Sequence, residues 1–228
     1  MHCDEQGRLL NRKIAERVVK TTSSQEQVTP DALSDKPIGN IKNITSQRVN
    51  TPPPHPFSLS TLQIEAAEKY GYSPQFVLDG CQLLYDKHRL ITYPKSDNRH
   101  LPEIQFEHRT DLLNRLILNL PELAEPIHHC DLSLKSNVWN DQKTGPHHGI
   151  VPTQKTFDCT SLQERERNLY KLICLNYIAQ FYPDHIIDNT SIDIIIGHEL
   201  FKGTKAATIQ YGWGVLFNHF KEQPPTSF

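Results

Sequence analysis

Tyr93 stands directly before a proline, and Lys95, Ser96, Asp97, Arg99 and His100 follow within seven residues, in the stretch LITYPKSDNRHLPE. A tyrosine hydroxyl has an ordinary pKa of ~10 and is a weak nucleophile at neutral pH. Neighbouring cations can stabilise its phenolate and hold a phosphodiester for attack. A second dense stretch is KTGPHHGIVPTQ, residues 143–154, where His147 and His148 follow a Gly-Pro turn and precede an apolar run. A histidine there could donate a hydrogen bond to a phosphate or act as a general acid or base. From spacing alone both stretches have a plain alternative. That alternative is the preferred reading on spacing alone: Tyr93 as a half-buried strand aromatic before a solvated turn, and His147 and His148 as a loop pair. His128, His129 and Cys130 raise the question of a metal. Their spacing, with or without His147 and His148, fits no zinc pattern, and no metal ligand is expected.

These residues must be positioned by a chain of 228 residues, long enough for one large domain or two modest ones. No apolar run approaches the ~18 residues of a membrane helix, and the N-terminal residues lack the apolar core of a secretory signal. The five cysteines are scattered and odd in number, which argues against a disulfide framework and suits a reducing cytoplasm. The net charge is −2, so the composition lacks the footprint of a strongly basic nucleic-acid binder. Seven of the twelve histidines lie in residues 58–157, which would turn that segment positive in mild acid.

Along the chain, Ile14, Ala15, Val18 and Val19 suggest a short helix, followed by a polar loop. Residues 38–50 alternate approximately and read as a strand, and TPPPHP ends it. Two helices then follow closely. The first has a capping box at Ser60 and Gln63, an inner face of Leu62, Ala66 and Tyr70, and a stop at Gly71. The second starts at Ser73-Pro74 and carries Val77, Cys81, Leu84 and Tyr85 at helical spacing. LITY is expected as a short strand, so the unit resembles a helix-turn-helix with a wing. A third helix is expected from Asp111 to Leu120, and a fourth over roughly residues 161–181, capped by Ser161 and Glu164. Ile192, Ile194 and Ile196 mark a strand, and ATIQYGW its hairpin partner.

Several motifs, in order, resemble the type IA DNA topoisomerases, in particular the bacterial topoisomerase III branch. The segment PPPHPFSLSTLQIEAAEKYGYSPQFVLDGCQLLYDKHRLITYPKSD is similar to the family's run up to its nucleophile motif, usually ITYPRSD. HHGIVPTQ is similar to the family's HHAIIPT, LYKLICLNYIAQFYP to the helix that follows, and GWGVLF to a late Gly-Trp motif. CDEQGRLLNRKIAERVV looks like the family's lead-in. The resemblance implies an α+β fold in which a mainly helical, winged-helix-like active-site domain, residues 58–157, is inserted into a β-containing gate domain, residues 1–57 and 158–228. It implies single-strand DNA cleavage and rejoining through a 5′-phosphotyrosine. Tyr93 would be the nucleophile, Lys95 would position the scissile phosphate, and His147 would contact it. Ser96, Asp97, Arg99 and Thr153 would be DNA-binding or supporting residues. Lys95 stands where the family usually has arginine, and lysine keeps the charge but loses the bidentate fork.

The family's Mg²⁺ is held by an acidic Toprim domain that these 228 residues do not show. The chain is therefore expected to be an internal fragment, unable to cleave DNA alone. A monomeric, bacterial, cytoplasmic protein that binds single-stranded DNA and no membrane completes the expectation. Two rivals stand beside it. A non-enzymatic winged-helix DNA-binding module would want a basic second helix, yet residues 74–89 hold Asp79 and Asp86 against Lys87 and Arg89. A tyrosine relaxase or nickase would want a His-hydrophobic-His metal cluster, and His147-His148 has no intervening hydrophobe.

Overall fold

The computed structural model describes residues 39–196 and 198–217. The expected short helix around Ile14–Val19 and the loop after it lie outside these residues. The described chain divides into two compact units, one of residues 39–50 and 186–210, the other of residues 51–185 and 211–217. These divisions fall elsewhere than the expected ones at 57/58 and 157/158. The long helix after residue 158, expected with the gate, packs within the helical unit.

The first unit is a three-stranded sheet of order β1-β2-β3, with β1 at Asn40–Thr51, β2 at His185–Ile196 and β3 at Glu199–Gln210. β2 and β3 run antiparallel from Ile187 opposite Thr208 to Ile196 opposite Glu199, with an irregularity between Ile186 and Ile187. The alternating isoleucines do form a strand, but a longer one than expected and with no buried face. Ile192, Ile194 and Ile196 are all half-exposed, and β1 is exposed apart from Val49. Arg48 of β1 grips Asp188 of β2 through two hydrogen bonds of 2.9 and 3.2 Å.

The second unit is helical. α1 (Leu59–Tyr70) starts at Ser58, whose side chain accepts from the N–H of Thr61 while the Thr61 hydroxyl accepts from the N–H of Ser58. The capping box is thus two residues earlier than the expected one at Ser60. Gly71, at φ 70°, closes the helix in the left-handed conformation that favours glycine. α2 (Pro74–Gln82) is capped by Ser73 with Pro74 in its first turn, as expected. It continues into one wider, π-helical turn, Leu83–Lys87. Two short helices follow: α3 (Glu103–Glu107), which the sequence did not signal, and α4 (Arg109–Asn119), close to its expected span. α5 (Ala124–His128) and α6 (Glu164–Ala179) complete the set. α6 begins at Gln163 with Glu166 as its partner, not at Ser161, because Asp158 caps a separate short turn over Cys159–Ser161.

α6 is buried almost all round and forms the centre of the core, with Tyr170, Ile173, Cys174, Tyr177 and Ile178 at or near zero exposure. Its Tyr177 joins Phe106, Trp139 and Phe181 in a ring cluster with centroids 5.3–6.4 Å apart, three pairs edge to face, Phe106–Phe181 stacked and Trp139–Phe181 tilted. The TPPPHP stretch is held against this core by its carbonyls. Gln180 donates to Pro54, Asn176 to His55, and Arg99 to both His55 and Pro56. Proline removes the amide donors that would otherwise pair this segment, and buried side chains supply the missing partners.

The described cysteines Cys81, Cys130, Cys159 and Cys174 are free thiols, and burial pushes Cys81 up to about 12. The phenol of Tyr177 is buried without a hydrogen-bond partner among the described residues. A buried polar group left unpaired costs roughly 1–3 kcal/mol. Tyr177→Phe keeps the ring and removes that cost, so thermal unfolding should move up by a few degrees. A drop in midpoint would show that the hydroxyl has a partner.

Candidate active site

Tyr93 is positioned by a short cross-link between two distant stretches. Ile91 and Pro152 form a single antiparallel bridge. The Thr92 N–H donates to the Val151 carbonyl at 3.0 Å, and the Thr153 N–H donates to the Leu90 carbonyl at 2.9 Å. The Thr92 hydroxyl adds two more bonds, donating to the Gly149 carbonyl (3.1 Å) and accepting from the Val151 N–H (3.0 Å). The expected strand over residues 90–93 is therefore one bridge and no more. Pro152 has no N–H to give, and Pro94 halts the other side. Beyond Pro94 the chain is tied back by buried Ser96. Its carbonyl accepts from Leu59 N–H at the start of α1, and its hydroxyl accepts from Asn98 N–H.

This cross-link brings the two chemically dense stretches together. The rings of Tyr93 and His147 stack with centroids 4.3 Å apart and planes 27° from parallel. They meet face to face, with no hydrogen bond joining them. His148 is turned inward. Its Nδ1 lies 2.9 Å from the Gly149 carbonyl and its Nε2 3.0 Å from the Gln105 side-chain nitrogen. For a neutral ring this assigns the proton to Nδ1, leaving Nε2 to accept from Gln105. His148 is thereby committed to structure, whereas His147 is exposed.

The other expected residues divide. Lys95 and Asp97 are exposed on the turn after Tyr93, and Lys95 has no ion pair among the described residues. Arg99 is drawn inward to the proline stretch, donating at 2.9 Å to the carbonyls of Pro56 and His55, and burial holds its guanidinium below its ordinary value. Thr153 donates to the Arg89 carbonyl at 2.6 Å. Ser96, Arg99 and Thr153 thus have their polar groups engaged in building the site.

Three further residues support it. Thr92 makes three of the hydrogen bonds already described. Asn98 accepts from His100 N–H and donates to the Lys143 carbonyl, tying the Tyr93 turn to the loop before His147. Tyr85 meets Tyr93 edge to face at 5.8 Å. The sequence marks Thr92 only as a β-branched strand residue and Tyr85 only as part of a helix face. Neither carries a local signal of its partner.

Beneath the turn, His55 and His100 meet edge to face at 5.2 Å. Burial, then the charges of Arg99, His100 and Lys143, hold His55 below the usual imidazole range. Burial, then Lys143 and Arg99, do the same for His100. A base with a lowered folded pKa is protonated first in the unfolded chain. As pH falls through the unfolded value of ~6.5, the unfolded state binds more protons and stability drops, until pH passes below the folded pKa. Thermal midpoints should therefore fall between about pH 7.5 and about pH 5, and His100→Gln should flatten the fall. A variant profile parallel to the wild type would remove His100 as a source.

Among the described residues no three His, Cys, Asp or Glu side chains gather closely enough to hold a metal ion. The described residues therefore offer no such ligand set for the Mg²⁺ implied by the resemblance. No helix of the described residues is long and apolar enough to cross a membrane.

The family described as DNA topoisomerase matches residues 2–227. The chain is similar to DNA topoisomerase 3 of Vibrio cholerae, 37% identical over 220 residues that cover 96% of this chain and 32% of that protein. It is similar to DNA topoisomerase 3 of Salmonella typhimurium, 37% identical over 214 residues, 93% of this chain and 31% of that protein. Among solved structures it is similar in fold to full-length topoisomerase I from Thermotoga maritima, with a TM-score of 0.63, 18% identity, 99% of this chain covered and 34% of the other. The chain spans about a third of the length of the curated relatives it matches.

Proposed function

The chain belongs to the DNA topoisomerase family, and from that membership we propose that it supplies the tyrosine half of a type IA strand-cleavage site. The Tyr93 hydroxyl attacks a phosphodiester of single-stranded DNA. The bond from tyrosine oxygen to phosphorus forms, the bond to the 3′ oxygen breaks, and the proton lost by tyrosine is balanced by one gained at the 3′ oxygen. The DNA beyond the break stays joined to Tyr93 through its 5′ phosphate. The reverse attack by the 3′ hydroxyl reseals the strand. Lys95 and His147 stabilise the charge that gathers on the phosphoryl oxygens. Lysine offers a point charge and no fork, so phosphate is held less specifically than an arginine would hold it.

The observation that carries this reading is the stacking of His147 on Tyr93, two residues 54 positions apart, with Lys95 exposed on the next turn. Asp97 shares that exposed turn. Ser96, Arg99 and Thr153 act as supports. In the same proposal the helix pair α1–α2 is the winged-helix-like element, and the helical unit is the active-site domain inserted in a gate that contains the sheet. TPPPHP, residues 51–56, serves as one hinge strand between the two. The protein acts as a cytoplasmic monomer. Its Mg²⁺ belongs to an acidic segment of a longer chain, so these 228 residues alone do not cleave DNA.

The test uses a protein in which this chain is joined to such a segment, incubated with 3′-labelled single-stranded DNA and Mg²⁺ and then quenched in denaturant. Label should remain on the protein, and peptide mapping should place it on Tyr93. The 228-residue chain alone should retain none. Label on any other residue, or on none, overturns the assignment.

A further inference from the structure

Arg89 has the only left-handed backbone among the described non-glycine residues, with φ at 58°. Such a conformation is disfavoured for any residue with a Cβ, and glycine or asparagine would adopt it more readily. It follows directly from the wide turn Leu83–Lys87, whose end is marked by His88 N–H donating to the Leu83 carbonyl. Wide helical turns of this kind are frequent at functional sites. The Thr153 hydroxyl, 2.6 Å from the Arg89 carbonyl, holds the residue in this state.

The side chain that results is exposed and has no acidic partner among the described residues. Its guanidinium lies 5.9 Å from the ring centre of Tyr85, whose ring in turn meets Tyr93 at 5.8 Å. A contact at the outer limit of a cation–ring interaction, in solvent, is too weak to account for an arginine in a strained position. The Arg89 guanidinium is no farther from the Tyr93 ring centre than those two contacts laid end to end. We propose that Arg89 binds a backbone phosphate of the single strand seated on Tyr93, flanking the scissile one, with Tyr85 as the spacer that sets its place. This rests on the reading of Tyr93 as the nucleophile. It adds a second cation on the side of Tyr93 opposite in sequence to Lys95, with the fork that lysine lacks.

The test is fluorescence anisotropy of a labelled single-stranded oligonucleotide against the full chain, over a range of salt. It is run with Arg89→Asn, Arg89→Lys and Lys95→Ala beside the wild type, and with thermal unfolding of each. Arg89→Asn should unfold no earlier than wild type, since asparagine suits the left-handed backbone. It should bind more weakly on every base sequence, and the slope of log affinity against log salt should become shallower by about 0.7, the value of one phosphate contact on a single strand. Arg89→Lys should keep the slope. If Arg89→Asn keeps the wild-type slope while Lys95→Ala loses part of it, Arg89 touches no phosphate and the proposal falls alone. If neither variant changes the slope, or the wild type shows no salt-dependent binding, the reading of this face as the seat of the strand falls with it.

Discussion

In the protein that joins this chain to its Mg²⁺-binding segment, Tyr93→Phe is expected to abolish the proposed covalent DNA adduct while leaving the protein folded, with its thermal midpoint within about 2 °C of wild type. The substitution removes one oxygen and nothing that packs. The contacts of the residue are made by its ring, stacked on His147 and met edge-on by Tyr85, and phenylalanine keeps both. The backbone bonds that hold the segment belong to Thr92 and Thr153. Tyr85 is the other phenol beside the site, and it meets Tyr93 through its ring. Activity should disappear rather than decline, and affinity for single-stranded DNA should stay near wild type. Residual adduct in Tyr93→Phe would mean that the nucleophile lies elsewhere and that the stacked pair is structural. A large fall in midpoint would mean that the hydroxyl has a structural partner as well.

The second large effect is on stability. Gly212→Ala should cost about 3 kcal/mol or more, lowering the midpoint by roughly 6–12 °C for a chain of this size. Two causes act together. Gly212 has φ of 48°, a backbone state that costs an alanine about 1–2 kcal/mol. A methyl group there would also run into the main-chain carbonyls of Pro183 and Asp184. Neither obstacle can swing aside like a side chain. The Pro183 carbonyl already accepts the Trp213 N–H at 3.0 Å, and the Trp213 indole donates to the Thr51 carbonyl at 2.9 Å. Calorimetric or circular-dichroism melting of the two proteins decides it, and an unchanged midpoint would show that this turn relaxes freely.

What could be read in advance was local. Ser73-Pro74 and Gly71 mark helix ends because the chemistry of a cap lies within a few residues. Where two caps competed, the choice was settled farther away. Ser58 prevails over Ser60 partly because the Ser96 carbonyl receives the N–H of Leu59. α3 has no cap of its own, and its first N–H is taken by Asp141, 38 residues on. Residues 90–93 have strand-forming side chains, yet the partner that would extend the ladder is a proline. The pairing of Tyr93 with His147 followed from resemblance to a known family. Spacing alone left both as ordinary loop and strand residues. The wide turn at Leu83–Lys87 and the left-handed Arg89 had no sequence signal, since nothing there is glycine or asparagine.

The sheet of the first unit has a consequence for solubility. Strands of twelve residues extend for about 40 Å, and β3 has a partner on one side only among the described residues. An open edge of that length, with Leu200 and Ile209 exposed along it, would accept a strand from another copy of the chain. Lys202 and Lys205 interrupt it, and only Lys202 has an acid near, Asp193 across the ladder at 4.0 Å. Two chains brought edge to edge would set these ammonium groups against each other in a place with little water. Lysines so placed would oppose growth of the sheet by edge addition at high protein concentration, and that opposition would weaken as salt screens them.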